Sequence, residues 1–162
     1  MVTAFDVAAG TPDPELPMLT IADLGILRAV DATASSVTVT ITPTYSGCPA
    51  MREISADITR RLTQAGFGAV SVRTRLAPAW SSDWITAEGK RKLASAGIAP
   101  PSPASRPGGP VPLTLGLSGP AVSCPRCGSL RTRRTAQFSS TACKSLYRCD
   151  ECAEPFEAVK PL

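Results

Sequence analysis

The sequence contains no histidine among its 162 residues, and aromatic residues make up only 5% of it. Without imidazole, the chain has no Ser-His or Cys-His nucleophile pair, no His-ligated zinc hydrolase site and no histidine base. It also lacks the Glu and His ligand set of a di-iron oxygenase and the Gly-rich loop of a flavin or dinucleotide site. These absences predict a protein that is not itself an enzyme.

Long apolar runs are missing too. The longest uncharged stretch, residues 107–125, holds five prolines and four glycines, which a bilayer-spanning helix does not tolerate. The first ten residues have no basic group and carry Asp6, so we expect no secretory signal and a cytoplasmic location. In that reducing compartment, the six cysteines indicate metal ligation or a reactive thiol rather than disulfides.

Charge and proline content divide the chain. Residues 1–101 carry nine basic and nine acidic side chains, whereas residues 102–162 carry eight and four, so the whole net charge of +4 lies in the tail. Between Ala99 and Pro120, seven residues are proline and four are glycine, as in an extended linker. We predict domains at 1–100 and 121–162 joined by a linker at 101–120, whose Val111–Leu117 patch is a candidate edge strand.

The first domain has a mixed α and β pattern. Two β-rich runs, Leu24–Asp31 and Val37–Thr44, predict a hairpin, and a third strand is predicted over Ala69–Leu76. Apolar residues at intervals of three and four predict a helix from Pro49 to Gly66, and Thr86–Ala96 predicts a shorter helix. The order β-β-α-β-α predicts an α+β chain whose first domain is a small α/β sandwich with helices on one sheet face.

Two C-x-x-C pairs, Cys124 with Cys127 and Cys149 with Cys152, are separated by 21 residues. Each tight turn can direct two thiolates at one ion, so the spacing predicts a structural zinc site in a four-cysteine zinc ribbon. Its strands are predicted over 129–138 and 144–148. Iron is the alternative metal for such turns, and Cys143 is either a spare thiol or a transient metal or sulfur ligand.

Cys48 directly precedes Pro49, so its sulfur is predicted to adjoin the N-terminus of the long helix, a position that favours thiolate. An inert cysteine in a tight turn is the alternative. Trp80 and Trp84 share one loop. They are candidates either for a lid on the core or for an anchor on a partner protein.

Several of these segments together resemble the MIP18-type (DUF59) family, whose members assist iron–sulfur protein assembly. The resemblance covers residues 10–100 and lies in the following runs: Asp13-Pro14-Glu15-Leu16-Pro17, Ile21–Ile26, Thr42–Pro49 and Pro78-Ala79-Trp80. With the cysteine ribbon added, the chain is similar to the family of D subunits of bacterial phenylacetyl-CoA epoxidase systems.

This resemblance implies an accessory protein of phenylacetate degradation that matures the epoxidase system, with the iron–sulfur reductase component as its target. It implies a functional thiol at Cys48, supported by Asp13 and Glu15, a structural zinc and a transiently held iron–sulfur cluster. The partners it implies are epoxidase proteins, with no membrane and no nucleic acid. Two other functions remain open, namely a thiol redox or iron carrier and a nucleic-acid-binding ribbon that uses Arg126, Arg131, Arg133, Arg134 and Arg148.

Overall fold

The structure is a computed structural model that describes residues 2–102 and 122–161. The predicted Val111–Leu117 strand and most of the predicted linker lie outside the described residues. The chain forms two compact units, residues 1–92 and 93–162. No helix in the described ranges combines the length and the apolar character needed to cross a membrane.

The first unit opens with helix α1 (Ala4–Ala9), which the sequence reading missed. The hydroxyl of Thr3 accepts a hydrogen bond from the N–H of Asp6, and the Asp6 carboxylate accepts one from the N–H of Thr3. This capping box satisfies backbone donors at the helix start. The helix buries Ala4 and Ala8 and packs on the strand Leu27–Ala32 and the helix Ala50–Gln64.

Strands β1 (Leu27–Ala32), β2 (Ser36–Ile41) and β3 (Ala69–Thr74) form one sheet in that order. The predicted hairpin is confirmed, because β1 pairs with β2 in antiparallel fashion, and β3 pairs with β2 in parallel. The alternation in β2 buries Val37, Val39 and Ile41. Because successive side chains of a strand point to opposite faces, these three residues lie on one face of the sheet, which packs on the core.

Helix α2 (Ala50–Gln64) crosses between β2 and β3 and buries Ile54, Ile58 and Leu62 along one stripe. The helix ends at Gln64, and its C-cap residue Ala65 is exposed. A 3-10 turn (Ser82–Trp84) precedes helix α3 (Ala87–Ser95). The Thr86 hydroxyl accepts from the N–H of Gly89 at 2.9 Å, so Thr86 caps α3.

The second unit contains strands β4 (Ile98–Ala99), β5 (Thr132–Ala136), β6 (Lys144–Cys149) and β7 (Pro155–Val159) in the order β4-β7-β6-β5. The sequence predicted β5 and β6 but neither β7 nor β4. Strand β4 pairs with β7 in parallel, so a segment that precedes the proline-rich stretch contributes to the ribbon sheet.

A buried ion pair joins β6 to β7. The Lys144 side chain is only 5% exposed, and its Nζ lies 2.7 Å from a carboxylate oxygen of Glu157. Glu157 also accepts hydrogen bonds from the hydroxyls of Ser139 and Ser140. Although burial opposes ionisation, Lys144 and the two serines lower the pKa of Glu157 from 4.5 to about 2.

Replacing Glu157 with Gln is expected to destabilise the second unit at pH 7 by about 3 kcal/mol, because the Lys144 ammonium stays buried without its carboxylate. A lowered pKa in the folded state means that this stability is present above pH 4.5 and is lost as the pH falls toward 2. Amide hydrogen exchange in β6 and β7 measures the difference between the two proteins at pH 7, and its decrease at those lower pH values at which both ribbons remain folded.

Glu151→Gln is the matched control, since the Glu151 side chain is 54% exposed and pairs with an exposed Arg131. The control is expected to change stability by less than about 1 kcal/mol. Equal effects of the two substitutions would contradict the role given to Glu157. At a pH low enough to protonate the cysteine thiolates, bound zinc would be released from both proteins and both ribbons would unfold, so the comparison is confined to higher pH.

Candidate functional site

The two C-x-x-C segments form similar turns in the second unit. In the first turn, the N–H of Gly128 donates to the carbonyl of Cys124 at 2.9 Å, and Gly128 has φ +75°. In the second turn, the residue after the second cysteine is Ala153, with φ +60°. Only the first turn therefore has glycine at the left-handed position, which an L side chain adopts at a cost of about 1–2 kcal/mol.

Ala153→Gly is expected to stabilise the second unit by about 0.5–1 kcal/mol, because relief of the left-handed strain exceeds the added freedom of the unfolded chain. Gly128→Ala makes the opposite substitution. A Cβ at position 128 meets no atom within 4 Å, so the substitution adds only backbone strain, and the ribbon is expected to be less stable by about 1 kcal/mol. Thermal unfolding of both variants measures the two shifts, and shifts of the same sign would contradict this explanation.

The four turn cysteines are brought together, as the sequence predicted. Their sulfur atoms all lie within 4.8 Å of one another. The Cys124 and Cys152 sulfurs are 3.8 Å apart, and those of Cys127 and Cys149 are 3.6 Å apart, so the close pairs join one turn to the other. Thiolates 2.3 Å from a tetrahedral Zn²⁺ stand about 3.8 Å from each other, so this donor set fits that ion.

The first cysteine of each pair lies inside the unit and the second faces solvent. Cys124 and Cys149 are buried in a small core with Ala99, Phe156 and Ala158, whereas Cys127 and Cys152 are exposed. Hydrogen bonds from the backbone N–H groups of Cys152 and Glu151 and from the Cys127 and Cys152 thiols lower the pKa of the Cys149 thiol to about 7, whereas the pKa values of Cys127 and Cys152 are raised in the same cluster. The thiolate form is the one that binds metal.

Acidic residues of the second turn pair with arginines around the cluster. The three pairs are Arg126 with Glu154, Arg131 with Glu151 and Arg133 with Asp150, at 2.7, 2.8 and 3.1 Å. All six side chains are largely exposed, so the pairs add little stability. They do neutralise three of the five arginines that a nucleic-acid-binding ribbon would use.

Cys143 lies outside the four-cysteine group. Its sulfur is 3.1 Å from the Thr141 hydroxyl, and its carbonyl accepts from the N–H of Lys160 at 3.0 Å. Cys143 therefore helps to hold the loop before β6 against the end of β7. This placement favours the spare-thiol interpretation over ligation of the same ion.

The turn before α2 brings Cys48 close to Asp13 and Glu15, residues more than thirty positions away in sequence. The N–H of Ala50 and the Thr44 hydroxyl interact with the Cys48 sulfur and lower the pKa of the thiol. Burial has the largest effect and raises that pKa, and the Glu15 and Asp13 carboxylates raise it further. The net direction is upward, so the expectation of a stabilised thiolate is wrong for the protein alone.

The acidic turn itself is rigid. Asp13 is 5% exposed, and its Oδ1 accepts from the N–H groups of Glu15 and Leu16 at 2.9 and 2.8 Å. The N–H of Asp13 donates to the carbonyl of Leu19 at 2.9 Å. Asp13 therefore holds the shape of the turn. Glu15 is only half-buried, and its negative charge acts on the Cys48 thiol.

Glu15→Gln is expected to lower the pKa of Cys48, because it removes a negative charge that disfavours the thiolate. Iodoacetamide should then modify Cys48 about two- to threefold faster at pH 8, since the rate follows the thiolate fraction. Glu53→Gln makes the same charge change in the first turn of α2 and is the control. An unchanged rate in Glu15→Gln would contradict the assigned effect of that carboxylate.

The two tryptophans have different environments. Trp80 is 7% exposed, and its indole N–H donates to the carbonyl of Leu24 at 2.9 Å, so it belongs to the core as the lid interpretation expected. Trp84 is half-buried, and the Arg28 guanidinium lies 3.7 Å from its ring centroid. An anchoring role on a partner stays a prediction. Of the two tryptophans, Trp84 is the more exposed and could make such a contact.

The backbone of the Trp84 loop lies against the turn before β1. Gly25 has φ +68°, and a Cβ there would come within 2.6 Å of the Trp84 Cβ. The Asp23 carboxylate pairs with Lys92 of α3 at 2.7 Å and accepts from the N–H of Thr20 at 3.0 Å. Sequence reasoning missed Arg28, Gly25 and Lys92 as supports of this loop, because their partners are distant in the chain.

Comparisons with known proteins match both parts of the chain. Residues 9–73 match the family described as "Iron-sulfur cluster assembly protein", and residues 109–160 match "PaaD zinc beta ribbon domain". A relative from Escherichia coli K12, named as the putative D subunit of a 1,2-phenylacetyl-CoA epoxidase, is 44% identical over 92% of this chain and 86% of its own length.

Two further relatives match about half of the chain. An "Fe-S protein maturation auxiliary factor" of Porphyromonas gingivalis W83 is 34% identical over 50% of this chain and 78% of its own length. A crystal structure of a DUF59 domain from Bacillus anthracis is 26% identical, with a TM-score of 0.52, over 56% of this chain and 87% of the other. The predicted DUF59-type resemblance, fold class and zinc ribbon are confirmed.

Proposed function

The chain belongs to the family of the 1,2-phenylacetyl-CoA epoxidase D subunit, and from this premise we propose that it is an accessory factor that matures the iron–sulfur centre of the epoxidase system. One observation carries the proposal: a single chain matches the iron–sulfur cluster assembly family at residues 9–73 and the PaaD zinc ribbon family at residues 109–160. The reductase component, which would carry the iron–sulfur cluster, is the proposed target.

The zinc ribbon has a structural role in this proposal. Cys124, Cys127, Cys149 and Cys152 would hold one Zn²⁺ per chain, and the ion would stabilise a unit too small to fold on its own core. Bound zinc supplies no redox chemistry. Cluster or iron handling therefore falls to the first unit.

Cys48, Asp13 and Glu15 form the proposed contact point for the iron or cluster that is delivered. The two carboxylates and burial keep the Cys48 thiol protonated in the protein alone. A cationic iron species that reaches this group offsets both carboxylate charges, which favours the thiolate at the moment when a ligand is needed. The same arrangement disfavours oxidation of the thiol between deliveries, since oxidants attack the thiolate.

Reconstitution tests the proposal directly. Strains lacking the gene are expected to make the other epoxidase components but to leave the reductase poor in iron and sulfide, and growth on phenylacetate is expected to fail. Components purified from a strain that has the gene, fully loaded with metal, should turn over normally without this protein. A requirement for stoichiometric addition of the chain would make it a working subunit and would contradict an assembly role.

A further inference from the structure

The ribbon sheet carries a cavity of about 300 Å³ that no part of the proposed function uses. Its walls are mainly apolar: three prolines and two valines surround it, namely Pro100, Pro101, Pro161, Val122 and Val159. Tyr147, Arg134 and Lys160 also line it, together with Ala158 and the polar residues Ser102, Gln137 and Ser145. The pocket thus combines an apolar wall of prolines and valines with polar and cationic side chains.

The charge of this pocket is of one sign. Among the described residues, two cationic side chains and no acidic side chain line it. The Lys160 ammonium is engaged within the chain, because its Nζ donates to the carbonyl of Ala142 at 2.7 Å and lies 3.9 Å from the Phe138 ring centroid. The Arg134 guanidinium has no ion pair or hydrogen bond within residues 2–102 and 122–161, in contrast to the side chains of Arg126, Arg131 and Arg133.

Arg134 lies directly opposite Tyr147 on the neighbouring strand. The Tyr147 ring stacks on Phe156 with centroids 5.8 Å apart, which holds the ring in place. Its hydroxyl, like the Arg134 guanidinium, has no partner among the described residues. Two unused donors on adjacent strands therefore face the same pocket, and a single carboxylate can accept from both.

We propose that this pocket, defined by Arg134, Tyr147 and Pro100-Pro101, is a docking site for an extended acidic peptide segment of a protein partner. A carboxylate of the peptide binds Arg134 and the Tyr147 hydroxyl, and a neighbouring apolar side chain contacts the proline wall. Charge complementarity selects this occupant, because the lining at residues 100–102 and 122–161 includes one unneutralised guanidinium and no acid. A nucleic acid would need a run of free cations and an open aromatic face, and Tyr147 is already stacked.

Binding of a synthetic peptide to the full, zinc-loaded chain tests the proposal. The probe is an amidated hexapeptide, Val-Glu-Pro-Glu-Val-Pro, and its control has Gln in place of both Glu residues. In ¹⁵N–¹H correlation spectra, the Glu peptide should shift the amides of Arg134, Tyr147 and Val122, whereas the Gln peptide should bind at least about fivefold more weakly.

Three substitutions localise the interaction. Arg134→Glu is expected to weaken binding at least about tenfold, and Tyr147→Phe, which keeps the stacked ring, about threefold. Arg148→Glu is the matched control with an equal charge change. Arg148 is exposed, has no ion pair in the described part of the chain and opposes Arg133, so it lies on the other face of the sheet. It should weaken binding less than about twofold.

Several outcomes would overturn the proposal. They are no shift at millimolar peptide, equal loss in Arg134→Glu and Arg148→Glu, or tighter binding of a single-stranded oligonucleotide through the same residues. Self-association abolished by Arg134→Glu would identify a second copy of the chain as the occupant. The proposal assumes a protein partner, as the proposed function does, but the peptide assay requires no epoxidase protein, so either can fail while the other holds.

Discussion

Replacing Cys149 with Ser is expected to lower bound zinc from one per chain to below about one-tenth and to unfold the ribbon sheet. A structural zinc site contributes about 10 kcal/mol or more to folding, and a small metal-held unit does not survive its loss. Cys149 is fully buried beside Phe156, so the serine hydroxyl would also be placed in an apolar core. Zinc analysis and far-ultraviolet circular dichroism measure the two effects.

The first unit should stay folded in this variant, and the chain has a built-in reporter for it. Both tryptophans lie in the first unit, and Trp80 is buried there. Tryptophan emission should therefore be unchanged when the ribbon unfolds. Cys143→Ser is the control and should keep its zinc, because Cys143 is outside the sulfur cluster. Metal loss in the control, or a shifted tryptophan emission in Cys149→Ser, would contradict this assignment.

Cys48→Ser is expected to abolish complementation of a strain that lacks the gene, with growth on phenylacetate as the measurement. The fold should change by less than about 1 kcal/mol, because the serine is similar in size and its hydroxyl can accept from the N–H of Ala50. The sulfur is the only group lost. Zinc content should remain at the level of the parent protein, because Cys48 is not in the ribbon.

A second serine variant keeps this result interpretable. Cys143→Ser also removes a half-buried thiol and should complement fully. If Cys48→Ser complements as well as the parent protein does, the turn at residues 46–49 is only structural, and the contact point proposed for iron must lie elsewhere. If both variants fail, the loss is not specific to the turn thiol.

Local features of the chain were predictable, and the metal site is the clearest case. The C-x-x-C spacing fixes each turn by itself, so Cys124, Cys127, Cys149 and Cys152 could be grouped without any knowledge of the sheet. The buried stripe of α2 and the alternation in β2 were predictable for the same reason. Apolar residues recur every three to four positions in α2 and every two positions in β2, and both repeats are visible within a short stretch of sequence.

Features that depend on distant residues were missed or predicted with the wrong sign. The position of Cys48 before α2 was right, but the direction of its pKa depends on burial and on Glu15 and Asp13, which only the fold brings close. Helix α1 had a sequence signal, the Thr3 and Asp6 capping box, that was overlooked. Strand β4 has two residues and no periodicity, so only its partner β7 defines it.

The strand order has a consequence for how such proteins can be recombined. The ribbon family match begins at residue 109, yet Ile98 and Ala99 pair with Glu157 and Ala158, and Ala99 packs in the same core as Cys124 and Cys149. A chimera that exchanged only residues 109–160 between relatives would combine a host β4 with a foreign β7. Crossover points that preserve the sheet therefore lie before Ile98, and insertion of a bare ribbon would leave one edge of its sheet mismatched.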